Sequence, residues 1–293
     1  MTQTLDLAYV VALVVTLWTT AIGSGLSHRP GEVRAAIADR GRFLRIVALD
    51  ALVIPVFVYG LVRMLGIPEG YAAGLILVGA ASAGAIGLAV VRFADGDVPL
   101  AIGLIVVLEL GNLIAIPFWS TVLLSDQVRP PLGDVVATLV LGVLLPLAAG
   151  MAVRRLRPAR AAAWAHALRR ASAVSLVLLV LIAVGRDIDE VAAATVTVAV
   201  VATVTVVVAL LAGWLAGGPD RPSRATAAAV TSVRAGTPAL AVAAATYGLS
   251  SDAATAIVAF ALLSLVITGL VALPMARVRS RATAPSSGIH APG

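Results

Sequence analysis

Nine long apolar stretches divide this chain, and short polar segments separate them. The stretches are about as long as a helix must be to cross the hydrocarbon core of a membrane, and they lack the two-residue alternation of strands. The pattern predicts an all-α polytopic membrane protein: one domain of nine transmembrane helices over 1–278, then a disordered cytoplasmic tail over 279–293. The stretches are 7–25, 43–65, 71–94, 98–124, 134–153, 172–185, 191–216, 225–247 and 253–276.

The composition supports a membrane-embedded protein. The 293 residues have a mean hydropathy of +1.04, with 60% hydrophobic and only 12% charged residues, unlike a soluble domain of this length. Cysteine is absent, which excludes disulfides, thiolate metal sites and cysteine nucleophiles. The three histidines fall in predicted loops or in the tail, and no nucleotide-binding or metal-ligand motif occurs. We therefore predict neither an enzyme nor a bound cofactor or metal.

The arginines predict the orientation in the membrane. All 21 basic residues are arginines, a bias that we attribute to a GC-rich bacterial genome rather than to nucleic-acid binding. With nine helices, 16 arginines lie on one side of the membrane and three, Arg63, Arg129 and Arg186, on the other. Because cytoplasmic loops carry the excess of basic residues, we expect a multi-pass protein of the bacterial plasma membrane. Its first helix is uncleaved, its N-terminus lies outside and its C-terminus lies in the cytoplasm.

Three ionisable side chains interrupt the apolar stretches: Asp50, Glu109 and Arg234. A charge at the centre of a membrane helix costs about 2.5–3.5 kcal/mol on insertion scales, so such residues face a protein interior or a wet cavity and pair there. The first interpretation is a pathway for a substrate or an ion. The alternative is a structural salt bridge between Arg234 and either carboxylate, and both hold if the pair borders a cavity.

Two of the stretches have the composition of interrupted helices. The third contains four glycines among small residues, and the eighth contains Arg234, Gly236 and Pro238 within five residues. Backbone groups freed by such residues are tolerated at membrane depth only inside protein or beside a water-filled cavity. Small residues also serve plain helix packing, but two interrupted helices in corresponding positions indicate a transporter with its site at the breaks. The predicted binding residues are Asp50, Ser82, Gly84, Glu109, Asn112, Thr231, Ser232, Arg234 and Thr237.

Residues 71–117 carry a resemblance to a known family. The motifs Leu75-Ile76-Leu77-Val78 and Gly96-Asp97-Val98, with a small-residue crossover between them, resemble the bile acid:sodium symporter family. The resemblance implies an inverted repeat of four plus five helices, in which the third and eighth are broken and cross each other. It also implies two bundles, a core at about 43–124 and 191–276 and a panel at about 7–25 and 134–185.

The chain departs from the family pattern at the sodium ligands. The family's Ser-Asn pair, its Glu and its Gln-Asn pair correspond here to Gly87-Leu88, Ala229 and Val233-Arg234, and a family glutamine corresponds to Asp50. Sodium needs several hard oxygen ligands, and nearly all of the expected side-chain oxygens are gone. The family's sodium sites are therefore not carried over to this chain.

Together these features predict a secondary transporter that carries a small organic anion across the bilayer without sodium, either with protons or as a uniporter. Arg234, which does not deprotonate, would supply the positive charge that bound sodium supplies in the family. One alternative is a cation/proton antiporter that uses Asp50 and Glu109 as its titrating pair. Another is a structural or sensory membrane protein, which would be packed tightly around 82–88 and 231–238 with no cavity.

Overall fold

The computed structural model describes residues 2–27, 39–82, 86–186 and 188–282, and the regular secondary structure in these ranges is helical. Seven segments of the described chain are long and apolar enough to cross a membrane, and Glu69–Ala80 and Asp252–Thr268 are shorter apolar helices. The predicted class, an all-α polytopic membrane protein, is confirmed. The count of nine crossings and the inverted repeat stay predictions.

Two π-helical turns, Leu49–Val53 and Val140–Leu144, each join two α-helices into one continuous rod. The α-helices are α1 (Thr2–Ser27), α2 (Arg40–Ala48), α3 (Ile54–Met64), α4 (Glu69–Ala80), α5 (Ile86–Phe93), α6 (Val98–Leu123), α7 (Leu132–Leu139), α8 (Leu145–Leu156), α9 (Pro158–Arg186), α10 (Ile188–Ala216), α11 (Arg221–Ser232), α12 (Gly236–Tyr247) and α13 (Asp252–Ala282).

Two helix boundaries differ from the sequence-based prediction. The sixth stretch, 172–185, was expected to extend backwards through 163–173, and α9 begins earlier still, at Pro158, because proline fits the first turn of a helix and the alanine-rich segment after it continues the helix. At the other end of the chain, α13 extends to Ala282, four residues into the predicted tail. Residues 283–293 lie outside the described part.

The helices pack in two groups. In the first, α1 lies against α8 and α9. In the second, α10 packs on α11 and α13, α13 packs on α4, and α4 packs on α3 and α6. Helix α12 contacts α13 and α4 on one side and α1 and α7 on the other. The boundary between the groups, which we call the seam, therefore runs along α12.

A polar cluster fixes the start of α11 to α2. Asp220 caps α11 by accepting a hydrogen bond from the Ser223 N–H at 2.9 Å. Arg42 donates to the Asp220 carboxylate at 3.2 Å and to the Ser223 hydroxyl at 2.7 Å. The hydrogen bonds from Ser223, with the Arg42 guanidinium beside them, hold the pKa of Asp220 below its ordinary value. The cluster thereby positions a helix that ends at the functional site.

Glycine allows the closest helix contact within the second group. A Cβ atom on Gly74 of α4 would overlap the carbonyl oxygen of Ala253 at the start of α13. Because α13 cannot retreat without losing its buried contacts with α4, position 74 has no room for a side chain.

We expect Gly74→Ala to lower the melting temperature of the detergent-solubilised protein, because the added methyl group must push α4 and α13 apart. Gly60→Ala is the matched control, since nothing lies within 4 Å of a Cβ there. It should leave the melting temperature equal or slightly higher, because alanine favours a helix over glycine by roughly 0.5–1 kcal/mol. Equal melting temperatures for the two variants would contradict the close approach.

Candidate functional site

The two predicted breaks are present, and they touch. Helix α4 is followed by Ala81 in an extended conformation (φ −80°, ψ 102°), and α11 is followed by Val233 in a similar one (φ −92°, ψ 114°). The Ala235 N–H of the second break donates to the Ala81 carbonyl of the first at 3.2 Å. The unwound segments are thus joined by a backbone hydrogen bond, in the manner of neighbouring strands.

Asn112 on α6 satisfies the backbone of the first break. Its carboxamide oxygen accepts from the Ser82 N–H at 2.7 Å, and its amide nitrogen donates to the Ser82 carbonyl at 2.9 Å. Both backbone groups would otherwise be buried without partners, which costs about 1–3 kcal/mol each. Asn112, one of the predicted binding residues, therefore holds the unwound segment in place.

Arg234 binds to both breaks and to a third helix rod. Its side chain is only 1% exposed. It donates to the carboxylate of Asp50, which is fully buried, and to the Gly79 carbonyl in the last turn of α4 at 2.5 Å. Longer contacts of 3.4 Å reach the carbonyls of Asp50 and Thr231. The guanidinium thus replaces backbone donors that two interrupted helices lack.

The position of Asp50 follows from the local sequence. Asp50 lies in the first π-helical turn, in which each carbonyl bonds to the N–H five residues later. The fifth residue after Asp50 is Pro55, which has no N–H, so the Asp50 carbonyl is left open for Arg234. In the same turn the Ala51 carbonyl accepts a hydrogen bond from the Trp119 indole at 2.8 Å. The π turn and the proline together aim Asp50 at the second break.

Further oxygens surround the ion pair. The Ser82 hydroxyl faces the Asp50 carboxylate but forms no hydrogen bond of ordinary geometry with it. The Thr231 hydroxyl is also buried and has no partner among the described residues, whereas Ser232 bonds within its own helix to Ala229. No group of three or more metal-ligating side chains occurs in the described ranges.

Glu109 is separate from this cluster. Its carboxylate accepts a hydrogen bond from Ser24 of α1, across the seam. The sequence left open whether Arg234 pairs with Asp50 or with Glu109; among the described residues, the structure pairs it with Asp50.

A cavity of about 570 Å³ lies beside the breaks, between the two helix groups. Its walls are mostly apolar and come from α1, α5, α6, the second π-helical turn, α8, α9, the second break, α12 and α13. Of the predicted binding residues, Glu109, Asn112, Arg234 and Thr237 line it; Asp50, Ser82, Thr231 and Ser232 do not, and Gly84 lies outside the described residues. The polar lining residues are Thr16, Thr20, Glu109, Asn112, Ser172, Arg234, Thr237, Ser264 and Thr268.

Comparison with known proteins identifies the family. Residues 25–194, more than half of the chain, match the sequence profile of the sodium bile acid symporter family. The chain belongs to this family. The matched range includes Asp50, the first break and Glu109, and it ends before Arg234.

A curated relative agrees with membership in the sodium bile acid symporter family. The chain is 29% identical over 138 residues to the "Probable sodium/metabolite cotransporter BASS1, chloroplastic" of Arabidopsis thaliana. The aligned region is 47% of this chain and 34% of the relative, so the chain spans about a third of the length of that protein. The family and the relative agree with the prediction of a transporter rather than an enzyme.

Sequence reasoning missed three parts of this family member's site. It did not anticipate Ser24 as the partner of Glu109, the carbonyl of Gly79 as an acceptor for Arg234, or the π turn that presents Asp50. Only the π turn had a signal, the proline that follows an acidic residue by five positions. The other two are contacts between distant helices, and local patterns carry no information on them.

We expect a double-mutant cycle to show strong coupling between Asp50 and Arg234. Removing one partner of a buried ion pair typically destabilises by about 3–5 kcal/mol, because the other charge stays buried, whereas removing both costs far less than the sum. Melting temperatures of Asp50→Leu, Arg234→Met and the double variant measure this. The exposed pair Arg63–Glu69, at 3.2 Å, is the control cycle and should couple by less than about 1 kcal/mol. Additive effects at Asp50 and Arg234 would contradict the pairing.

Proposed function

We propose that this chain is a secondary transporter that carries a small organic anion by alternating access, and that Arg234 takes the place of bound sodium. The observation that supports this is the guanidinium itself. It contacts both broken helices and a buried carboxylate, and the family to which the chain belongs is named for sodium. A guanidinium does not deprotonate or dissociate, so the positive charge at the crossing is permanent.

The substrate site we propose is the cavity beside the crossing rather than the arginine alone. Arg234 directs its donors to Asp50 and Gly79, inside the protein. Next to it, the first turn of α12 presents Gly236 and Thr237 to the cavity, and the N-terminus of a helix favours negative charge. The apolar walls suit a substrate with a carboxylate at one end and a hydrocarbon body.

The moving parts we propose are the two helix groups. The group of α1, α8 and α9, together with α7, acts as the panel, and the other helices act as the core. The N-terminus is outside and the C-terminus is in the cytoplasm of a bacterial cell, with nine crossings in total. The cavity lies at the seam, where alternating access by rigid-body motion would open and close it. Arg92, in the last turn of α5 beside the lining residue Phe93, belongs to the predicted cytoplasmic set, and we propose that this end of the cavity faces the cytoplasm.

The two alternatives fare differently against the geometry. A structural or sensory protein would be packed tightly at the breaks, and the cavity that residues 233–238 line speaks against it. A cation/proton antiporter needs its titrating carboxylates in reach of water. Asp50 is fully buried against Arg234, which leaves Glu109 as the carboxylate on the cavity wall. The antiporter therefore stays a second candidate, and Glu109 is the residue that supports it.

We expect uptake by proteoliposomes to proceed equally well in choline and in sodium buffer. Labelled lactate, 2-oxoisovalerate and gluconate serve as probes, with the same unlabelled anion inside. Arg234→Ala should lower the rate of uptake at least tenfold, because Asp50 then carries an uncompensated charge at the crossing. Added guanidinium ions should restore part of that rate. Arg63→Ala, at an exposed pair, is the matched control and should transport normally. Strict dependence on sodium, or wild-type uptake by Arg234→Ala, would refute the proposal.

We expect a bridge across the seam to stop transport, while a bridge inside the panel does not. The chain has no cysteine, so introduced pairs react without background. Leu17 on α1 and Leu240 on α12 line the same cavity from opposite groups, and a bismaleimide between cysteines there should abolish uptake. In the panel control, a Cβ at Gly23 would lie 3.5 Å from that of Leu168, which suits a disulfide. Full uptake by the seam-bridged protein would contradict movement of the groups.

A further inference from the structure

Glu109 is a half-buried carboxylate that lies outside the pair of Asp50 and Arg234. It lies in the middle of α6 on the cavity wall and accepts a hydrogen bond from Ser24. Helix α1 packs mainly on α8 and α9 and hardly touches α6. The hydrogen bond between Ser24 and Glu109 is therefore a polar link across the seam.

The cavity wall carries an uncompensated charge when Glu109 is ionised. Among the described residues that line the cavity, Glu109 and Arg234 are the ionisable ones, and Asp50 already neutralises Arg234. An organic anion that enters would meet a like charge in a mostly apolar cavity. The anion would disfavour the ionised form of Glu109, and ionised Glu109 would disfavour binding of the anion. A proton on Glu109 removes this repulsion, so the proton and the anion bind together more easily than either alone.

In the part of the chain that the structure describes, no cation is paired with the Glu109 carboxylate. Ser24 provides one hydrogen bond but no charge. The titratable groups on the elements packed around α6, on α1 and at the second break are Asp6, Tyr9, Arg40, Arg42, Arg45, Asp50, Glu69, Tyr71, Arg92, Asp134, Arg221, Arg224 and Arg234.

We propose that Glu109 is the proton-binding residue of the carrier and that one proton enters with each monovalent organic anion. This inference rests on the proposed function. The proton binds to the Glu109 carboxylate as the anion enters and leaves it when the anion is released on the other side. Because binding linkage is reciprocal, the anion raises the affinity of Glu109 for the proton by the same factor as the proton raises the affinity for the anion. Loading one proton with one monovalent anion leaves the net charge unchanged, so the membrane potential does not drive transport.

The test uses the full chain in liposomes that contain a pH-sensitive dye, with labelled lactate, 2-oxoisovalerate and gluconate as probes. An outside-acid gradient of one pH unit should drive about tenfold accumulation by the wild type, with one proton for each anion. Glu109→Gln should abolish both the accumulation of the anion and the proton signal. The ratio of gradient-driven accumulation to uptake against the same unlabelled anion should fall about tenfold in this variant. Glu109→Asp should restore coupling in part. Ser24→Ala should keep coupling but move its pH profile upward, because the ionised carboxylate loses a donor.

Infrared spectroscopy of the same proteoliposomes tests the residue without any substrate. Acidification should produce a protonated-carboxyl band in the wild type that is missing from Glu109→Gln. If the wild type carries no probe, the proposed function fails, and this band alone decides the assignment of Glu109. Wild-type accumulation by Glu109→Gln, or the same band in both proteins, would overturn the assignment while the transport of anions stands.

Discussion

A permanent cation is buried at the point where two helices have lost backbone hydrogen bonds. The freed carbonyls stabilise the buried charge, and the charged group supplies the hydrogen-bond donors that the carbonyls lack. An isolated guanidinium in such a place costs several kcal/mol in lost hydration. Carbonyls at a helix end that lack donors are costly as well. Arg234 donates to the Asp50 carboxylate and to the carbonyl of Gly79. The break and the arginine therefore stabilise one another, and neither would persist alone in a lipid environment.

This mutual dependence fixes much of the surrounding structure. Asp50 must face the crossing, which requires the π-helical turn and Pro55 in the rod formed by α2 and α3. The first break must stay extended, and Asn112 holds it there from α6. These contacts join the α2–α3 rod, α4, α6 and the second break into one unit, whereas α1 has its principal contacts with α8 and α9. The seam separates this unit from α1, α8 and α9, and the cavity lies along it.

The sequence predicted the parts of this site that depend on local composition. Charges in apolar stretches, glycine and proline inside helices, and a family motif were enough to find both breaks, Arg234 and Asn112. It did not predict which carboxylate pairs with Arg234, because Asp50 and Glu109 occupy similar apolar contexts and the true partner is 184 residues away. For the same reason the sequence did not predict the hydrogen bond from Ser24 to Glu109, which are 85 residues apart in the chain. Such pairings depend on how the helices are arranged in space, and local sequence patterns do not show that arrangement.

A cation that is covalently part of the chain differs from a bound ion in one respect that bears on transport. Bound sodium is present in some states of a carrier and absent in others, and this difference is what lets its gradient perform work. Arg234 carries its charge in every state, so it can organise the crossing but cannot transfer energy to the substrate. Accumulation of an anion then needs a second group whose charge changes during the cycle. In the described chain, Glu109 fits this requirement, because it lines the cavity, is not neutralised by a neighbouring arginine, and contacts the helix group that faces it across the seam.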